Sequence, residues 1–382
     1  MMDRKKKPRS SNIELLRIVA MFMIILYHIT CHCITLQLAN ADTPMGSYFT
    51  QPVFHKRLLI LDWLNTLGII SNAIFILISG YFMANRKSSE INLGRISKKL
   101  LLQLGFAALL LVCIPPLVHL AKPMSYMNMQ GISIFNGMSW FVGYYFIVIT
   151  CGALFFNTFL SKLDYEKFSA FLLVLFALIQ FSWSRGRIEA LAAGLGTVLT
   201  GLLLYAIGGF MKRFEPFQEI KSSVFIGIIA LLNGLVLLSG YNLVESKIIA
   251  YIRQGVDKPL VPAIPGYDNT SIVIILIAVC LFELFRRISL PEIRLINYLG
   301  KATFMIYLLH DNNLFYGLWN HRNWIATLAE SSGMFVFHLL KWASFTFLLG
   351  VLAYSMYNLT LKLLQRHKHI FLRENSRGRI NG

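Results

Sequence analysis

Residues 11–36, SNIELLRIVAMFMIILYHITCHCITL, form an apolar stretch in which two residue types are out of place. Arg17 sits near its start and His28 well inside it. Eleven steps of ~100° return almost to the same helix face, so the pair lines one stripe with ~16 Å of rise between them. Ionisable groups are costly in hydrocarbon and normally face a cavity or a bundle interior, so this stripe reads as the wall of an active site. Imidazole has a reference pKa near ~6.5 and accepts protons near working pH. Guanidinium stays charged and forms paired bonds to phosphate or carboxylate. Glu14, three residues before Arg17, shares its face and can hold it.

Further polar groups fall in other apolar stretches. In GKATFMIYLLHDNN, residues His310, Asp311 and Asn313 form a cluster that needs internal partners or water. It reads equally as a structural network and as support for a site, with Tyr307 one turn earlier. Ser79-Gly80 suits close approach of helix backbones, and Trp140 suits an interfacial belt. The loop NRKSSEINLGRISKK gathers Arg86, Lys87, Arg95, Lys98 and Lys99. Topology and anionic-lipid contact suffice to explain it. The same charges are also a cradle for a phosphate-bearing donor. His28, Cys31 and His32 have i, i+3, i+4 spacing for a shared metal. No carboxylate is close in sequence, so no metal site is expected. The five cysteines all lie in apolar segments, which disfavours a disulfide framework.

These groups must be positioned by membrane helices. The 382 residues are 56% hydrophobic and 14% charged, with mean hydropathy +0.60. That composition indicates an all-α polytopic membrane protein. Ten helices are expected, at 12–35, 61–83, 99–120, 139–160, 167–184, 189–211, 223–243, 270–288, 296–318 and 334–363. The net charge of +18 is not gathered in one patch, so nucleic acid is not expected as a partner. Of the Lys and Arg in the connections, the tails and the adjoining helix ends, 24 fall on one side and nine on the other, which puts both termini in the cytoplasm. The outer loop at 244–269, with Pro259, Pro262 and Pro265, is expected as a lid or a connector. Ala39-Asn40-Ala41 after the first apolar stretch resembles a signal-peptide cleavage site, but the stretch is long and carries two histidines, so it is read as a retained helix.

The ordered set Glu14-x-x-Arg17, ten intervening residues and His28, then Ser79-Gly80-Tyr81, Trp140-Phe141 and Ile306-Tyr307-Leu308-Leu309-His310 resembles the membrane acyltransferase-3 family, over roughly residues 11 to 315. The resemblance implies a multi-pass enzyme of the bacterial cytoplasmic membrane. It implies transfer of an acetyl or other short acyl group from cytoplasmic acyl-coenzyme A to a hydroxyl of an envelope glycan or lipid-linked sugar. On that reading His28, Arg17 and Glu14 are catalytic, the five cations from Arg86 to Lys99 bind the donor, and Ser79, Trp140, Tyr307, His310, Asp311 and Asn313 support the site. Lys301, Thr303, Tyr307 and Asn313 are candidates to stabilise the oxyanion. No bound cofactor is expected, acyl-coenzyme A being a substrate.

The implied organisation is a basic cytoplasmic tail at 1–10, the membrane acyltransferase domain at 11–363 and a basic cytoplasmic tail at 364–382. Some relatives add an extracytoplasmic hydrolase-like domain, for which this chain has no room. Acceptor choice is then expected to lie with the membrane domain or with a partner protein of the envelope pathway. The rival class is a transporter or flippase of lipid-linked saccharide, but no internal repeat and no second buried charge stripe is evident.

Overall fold

The computed structural model describes residues 10–39, 51–121, 140–180, 194–254 and 271–378; among these, the side chains of 39, 52, 115–121, 242–254, 313 and 367–378 lie outside the description. The basic tail at 1–9 and most of the proline loop, 255–269, also lie outside the described residues. All regular elements described are helical. In chain order they are α1 Ser11–Ile29, α2 Thr35–Ala39, α3 Pro52–Met83, α4 Leu93–Ala121, α5 Trp140–Cys151, α6 Asn157–Leu160 and α7 Tyr165–Gln180. There follow α8 Leu195–Phe214, α9 Ser222–Gln254, α10 Ile272–Arg287, α11 Arg294–His310, α12 Asn313–Asn320, α13 Trp324–Glu330 and α14 Ser332–Gly378. A π-helical turn, Thr30–Ile34, joins α1 to α2, and another, Gly152–Phe156, joins α5 to α6.

Seven of these segments are long and apolar enough to cross a membrane. The other three expected spans are represented by α7, α10 and α11, which have 16, 16 and 17 residues. At 1.5 Å per residue α10 and α11 reach only ~24–26 Å, short of a ~30 Å hydrocarbon core, while α7 is described as far as Gln180. Large apolar side chains such as Leu101, Leu109, Phe155, Leu173, Leu231 and Leu348 are exposed on the outside of the bundle. That is the arrangement a hydrocarbon solvent favours, because lipid tails are as apolar as Leu.

Several helix ends differ from the sequence expectation. The second helix begins at Pro52, not 61, because proline at the first helical position removes only an N–H that has no partner there. The seventh runs on to Gln254, and the last continues past 363 to Gly378. The sixth starts only after Gly194, whose φ of 83° is in the left-handed region, and closes at Glu215, also left-handed. The expected continuous helix at 296–318 is broken between α11 and α12. There Asn312 is the N-cap of α12, its Oδ1 accepting from Leu314 N at 3.0 Å. A short run of Asp and Asn offers such local bonds as an alternative to the helical ladder.

Helix α3 is central, packed against α1, α8, α9 and α10, while α11 pairs with α14 and both close against α1. The Ser-Gly pair has its packing role here. A Cβ on Gly80 would lie 2.0 Å from the carbonyl oxygen of Tyr205 on α8, and one on Gly208 would lie 2.4 Å from that of Leu77. Two glycines thus let the α3 and α8 backbones touch, which fixes Ser79 beside them.

Candidate active site

The break after α11 is what organises the site. His310 is the last residue of that helix and is 1% exposed. Its Nδ1 lies 2.9 Å from the Tyr307 carbonyl oxygen and 3.1 Å from that of Ile306. A carbonyl only accepts, so Nδ1 of His310 carries the proton. Nε2 of a neutral His310 is therefore an acceptor, and it lies 2.8 Å from Nδ1 of His28. The two rings are within 9° of parallel, with centroids 4.8 Å apart. His28 must then donate from Nδ1, which leaves its Nε2 with a lone pair. Two backbone carbonyls on one helix thus set the tautomer of a histidine on another.

Asp311 lies just past the end of α11 and is 4% exposed. Its Oδ1 is 3.8 Å from His28 Nδ1 and 3.9 Å from His32 Nε2, and it accepts a hydrogen bond from the Tyr316 hydroxyl. His32 stacks on Tyr316 with ring centroids 4.2 Å apart. The π-helical turn at Thr30–Ile34 carries His32 in this position, and such turns are frequent at functional sites. The sequence reading found no carboxylate close to His28 and His32; Asp311 supplies one across the α1–α11 contact. These side chains border a cavity of about 340 Å³ that also takes in Trp140, Asn72, Tyr27 and Cys31.

A second cavity, of about 300 Å³, opens along the same face of α1 toward its N-terminus. Arg17, Ser79, Lys99, Lys301 and Thr303 line it. Ile24, Phe141 and Tyr307 border both cavities. Arg17 and His28 therefore sit in different cavities of one stripe, on either side of Ile24. Arg17 Nη1 is 3.1 Å from Glu14 Oε1. Gly300 makes room for that carboxylate, since a Cβ there would lie 2.2 Å from Glu14 Oε2. Ser79 donates to the Phe75 carbonyl at 2.9 Å, and its Oγ accepts from the Tyr145 hydroxyl at 3.1 Å.

Of the five loop cations, only Lys99 borders this cavity; Arg86, Lys87, Arg95 and Lys98 are exposed away from its wall. The side chain of Asn313 lies outside the description. Thr303 donates to the Gly300 carbonyl at 2.9 Å, which engages its hydroxyl within its own helix. Sequence reasoning missed Asn72, Tyr316 and Tyr145. Asn72 had a signal, a polar residue amid SNAIFILIS. The two tyrosines had none, because Tyr at a helix end is ordinary in membrane proteins. The five cysteines are free thiols.

The site therefore combines a tautomer-fixed imidazole, a neighbouring carboxylate and a separate cavity with three cations. No curated protein and no solved structure matches the chain significantly. The acyltransferase-3 family, described as an acyltransferase domain, matches residues 10–356, and the chain, with its multiple membrane-crossing helices, belongs to that family of membrane acyltransferases.

Proposed function

We propose that this chain moves an acetyl or other short acyl group from acyl-coenzyme A on the cytoplasmic side to a hydroxyl of an envelope glycan or lipid-linked sugar on the outer side of a bacterial cytoplasmic membrane. The observation that carries this reading is the pair of cavities meeting at Ile24, Phe141 and Tyr307. One is cationic and lies toward the N-terminal end of α1, where the charge distribution puts the cytoplasm. The other holds the base. Arg17, Lys99 and Lys301 supply charge-assisted bonds for the phosphates of a donor. Ten crossings and cytoplasmic termini belong to the same proposal, with α7, α10 and α11 among the crossings.

As the acceptor oxygen attacks the thioester carbonyl, its proton passes to Nε2 of His28. The imidazolium then has Asp311 Oδ1 at 3.8 Å as countercharge. The C–S bond breaks, and the departing thiolate takes the proton back from Nε2. Tyr307 borders both cavities and Asn72 borders the second, so their hydroxyl and amide are the proposed donors to the developing oxyanion. No resident cofactor enters this scheme. Membrane lipids surround the protein, and an envelope-pathway protein is the proposed partner for acceptor delivery.

Purified protein in detergent, given acetyl-coenzyme A and a sugar acceptor, is expected to release free thiol and form an ester. A flippase of lipid-linked saccharide releases none. Mass spectrometry of envelope glycans from cells with and without the chain then names the acyl group and acceptor: one added acyl mass per repeat supports the proposal, and identical glycans count against it.

A further inference from the structure

We infer that His28, His32 and Asp311 form a binding site for a divalent transition-metal ion of the zinc class, and that its occupation switches the enzyme off. The inhibitory part rests on the function proposed above; the binding part does not.

The donor atoms of the three side chains all lie within 4.8 Å of one another, with the two His–Asp separations at 3.8 and 3.9 Å. A point equidistant from such atoms lies about 2.5 Å from each, and inward shifts of a few tenths of an ångström give the ~2.0–2.2 Å of zinc bonds. Two imidazoles and a carboxylate suit zinc or its neighbours and not magnesium or calcium, which prefer all-oxygen shells. Three protein ligands beside a cavity leave a fourth position open to water.

A second observation points to the same ligand. Asp311 is 4% exposed, and its Oδ2 has no hydrogen-bond partner among the described residues. A buried carboxylate oxygen without a donor is unfavourable, and a cation relieves it. The 3.8 and 3.9 Å separations run to Oδ1, which the Tyr316 hydroxyl orients, the kind of outer contact that aims a metal ligand; chelation by both oxygens then gives Oδ2 its partner.

Binding and catalysis exclude each other at one imidazole ring. A metal ion takes the lone pair of His28 Nδ1, and the single proton of the neutral ring then sits on Nε2. The bond from Nδ1 to His310 Nε2 is lost, and so is the base. Metal and acyl transfer compete through a change of tautomer.

The test uses the full chain purified in detergent and stripped with chelator. Zinc is titrated by calorimetry and counted by elemental analysis, and acyl transfer is followed with and without zinc. One zinc per chain is expected, with transfer falling at least tenfold and returning on chelation. His32→Gln should transfer normally without metal, bind zinc at least tenfold more weakly and resist the inhibition. If that variant fails to fold, Asp311→Asn, scored by zinc binding alone, should show the same weakening. Less than stoichiometric binding, unchanged affinity in both variants, or activation by zinc overturns the proposal. A chain without transfer activity under any condition refutes the acyltransfer reading and still leaves the binding result scored.

Discussion

His28 and His310 meet across the contact between α1 and α11 with their ring nitrogens 2.8 Å apart, although 282 positions separate them in sequence. The second histidine is anchored to backbone and the first is not, so the pair has a direction. On the proposed mechanism His310 orients and His28 reacts.

His28→Ala is expected to give an inserted, folded protein whose transfer rate falls by about a hundredfold or more, the usual scale for removing a general base. His32→Ala is the control and should retain most activity. Purified His28→Ala protein turning over near the normal rate would remove His28 from the chemistry.

His310→Ala should lower kcat by roughly tenfold to a hundredfold with the donor KM unchanged, because the base remains but loses its orientation. His310→Gln should recover much of that loss, since a Gln carbonyl oxygen also accepts from His28 Nδ1. Equal losses in both variants would mean that His310 acts by packing alone.

Lys98 and Lys99 are adjacent but differ in placement, because only Lys99 borders the cationic cavity. Lys99→Gln should raise the donor KM several-fold, with a larger effect at high salt as the remaining charges are screened. Lys98→Gln should leave it unchanged. The same shift in both variants would return the loop to a purely topological role.

Arg17→Lys keeps the charge and loses the planar fork, so the contact with Glu14 and any paired phosphate contact are both expected to weaken. The donor KM should rise in this variant. Wild-type kinetics would reduce Arg17 to a point charge.

Gly80→Ala is expected to destabilise the protein by at least about 1–3 kcal/mol, because a rigid backbone carbonyl lies 2.0 Å from the added atom. Thermal unfolding in detergent measures it. An unchanged midpoint would show that α3 and α8 separate freely.

The membrane class and most helices were legible because apolar runs and loop charges are local signals. The start of the second helix was expected at 61 and lies at Pro52, since proline starts helices as readily as it ends them. The break at Asp311-Asn312 was hidden by apolar residues on both sides, which made two helices look like one. His28 and Arg17 stood out because buried charge is rare in such a helix. The link from His28 to His310 was not legible: it depends on which backbone carbonyls lie beside a ring, and no spacing records that. Lys99 could not be told from Lys98 for a similar reason, since one helical step separates a cavity wall from its outside.

Ile24, Phe141 and Tyr307 are the partition between two chambers aligned along α1. In an energised membrane that partition is also an electrical seal. Any passage wide enough to pass an acyl arm is wide enough for protons and small ions, which would dissipate the gradient on which the cell depends. On the proposed function the enzyme exchanges a chemical group between compartments while remaining an insulator, and these three side chains are placed to carry that duty. Trimming Ile24 or Phe141 to Gly should then do more than alter turnover: the chain would become a leak, detectable as ion flux in vesicles even when no substrate is present.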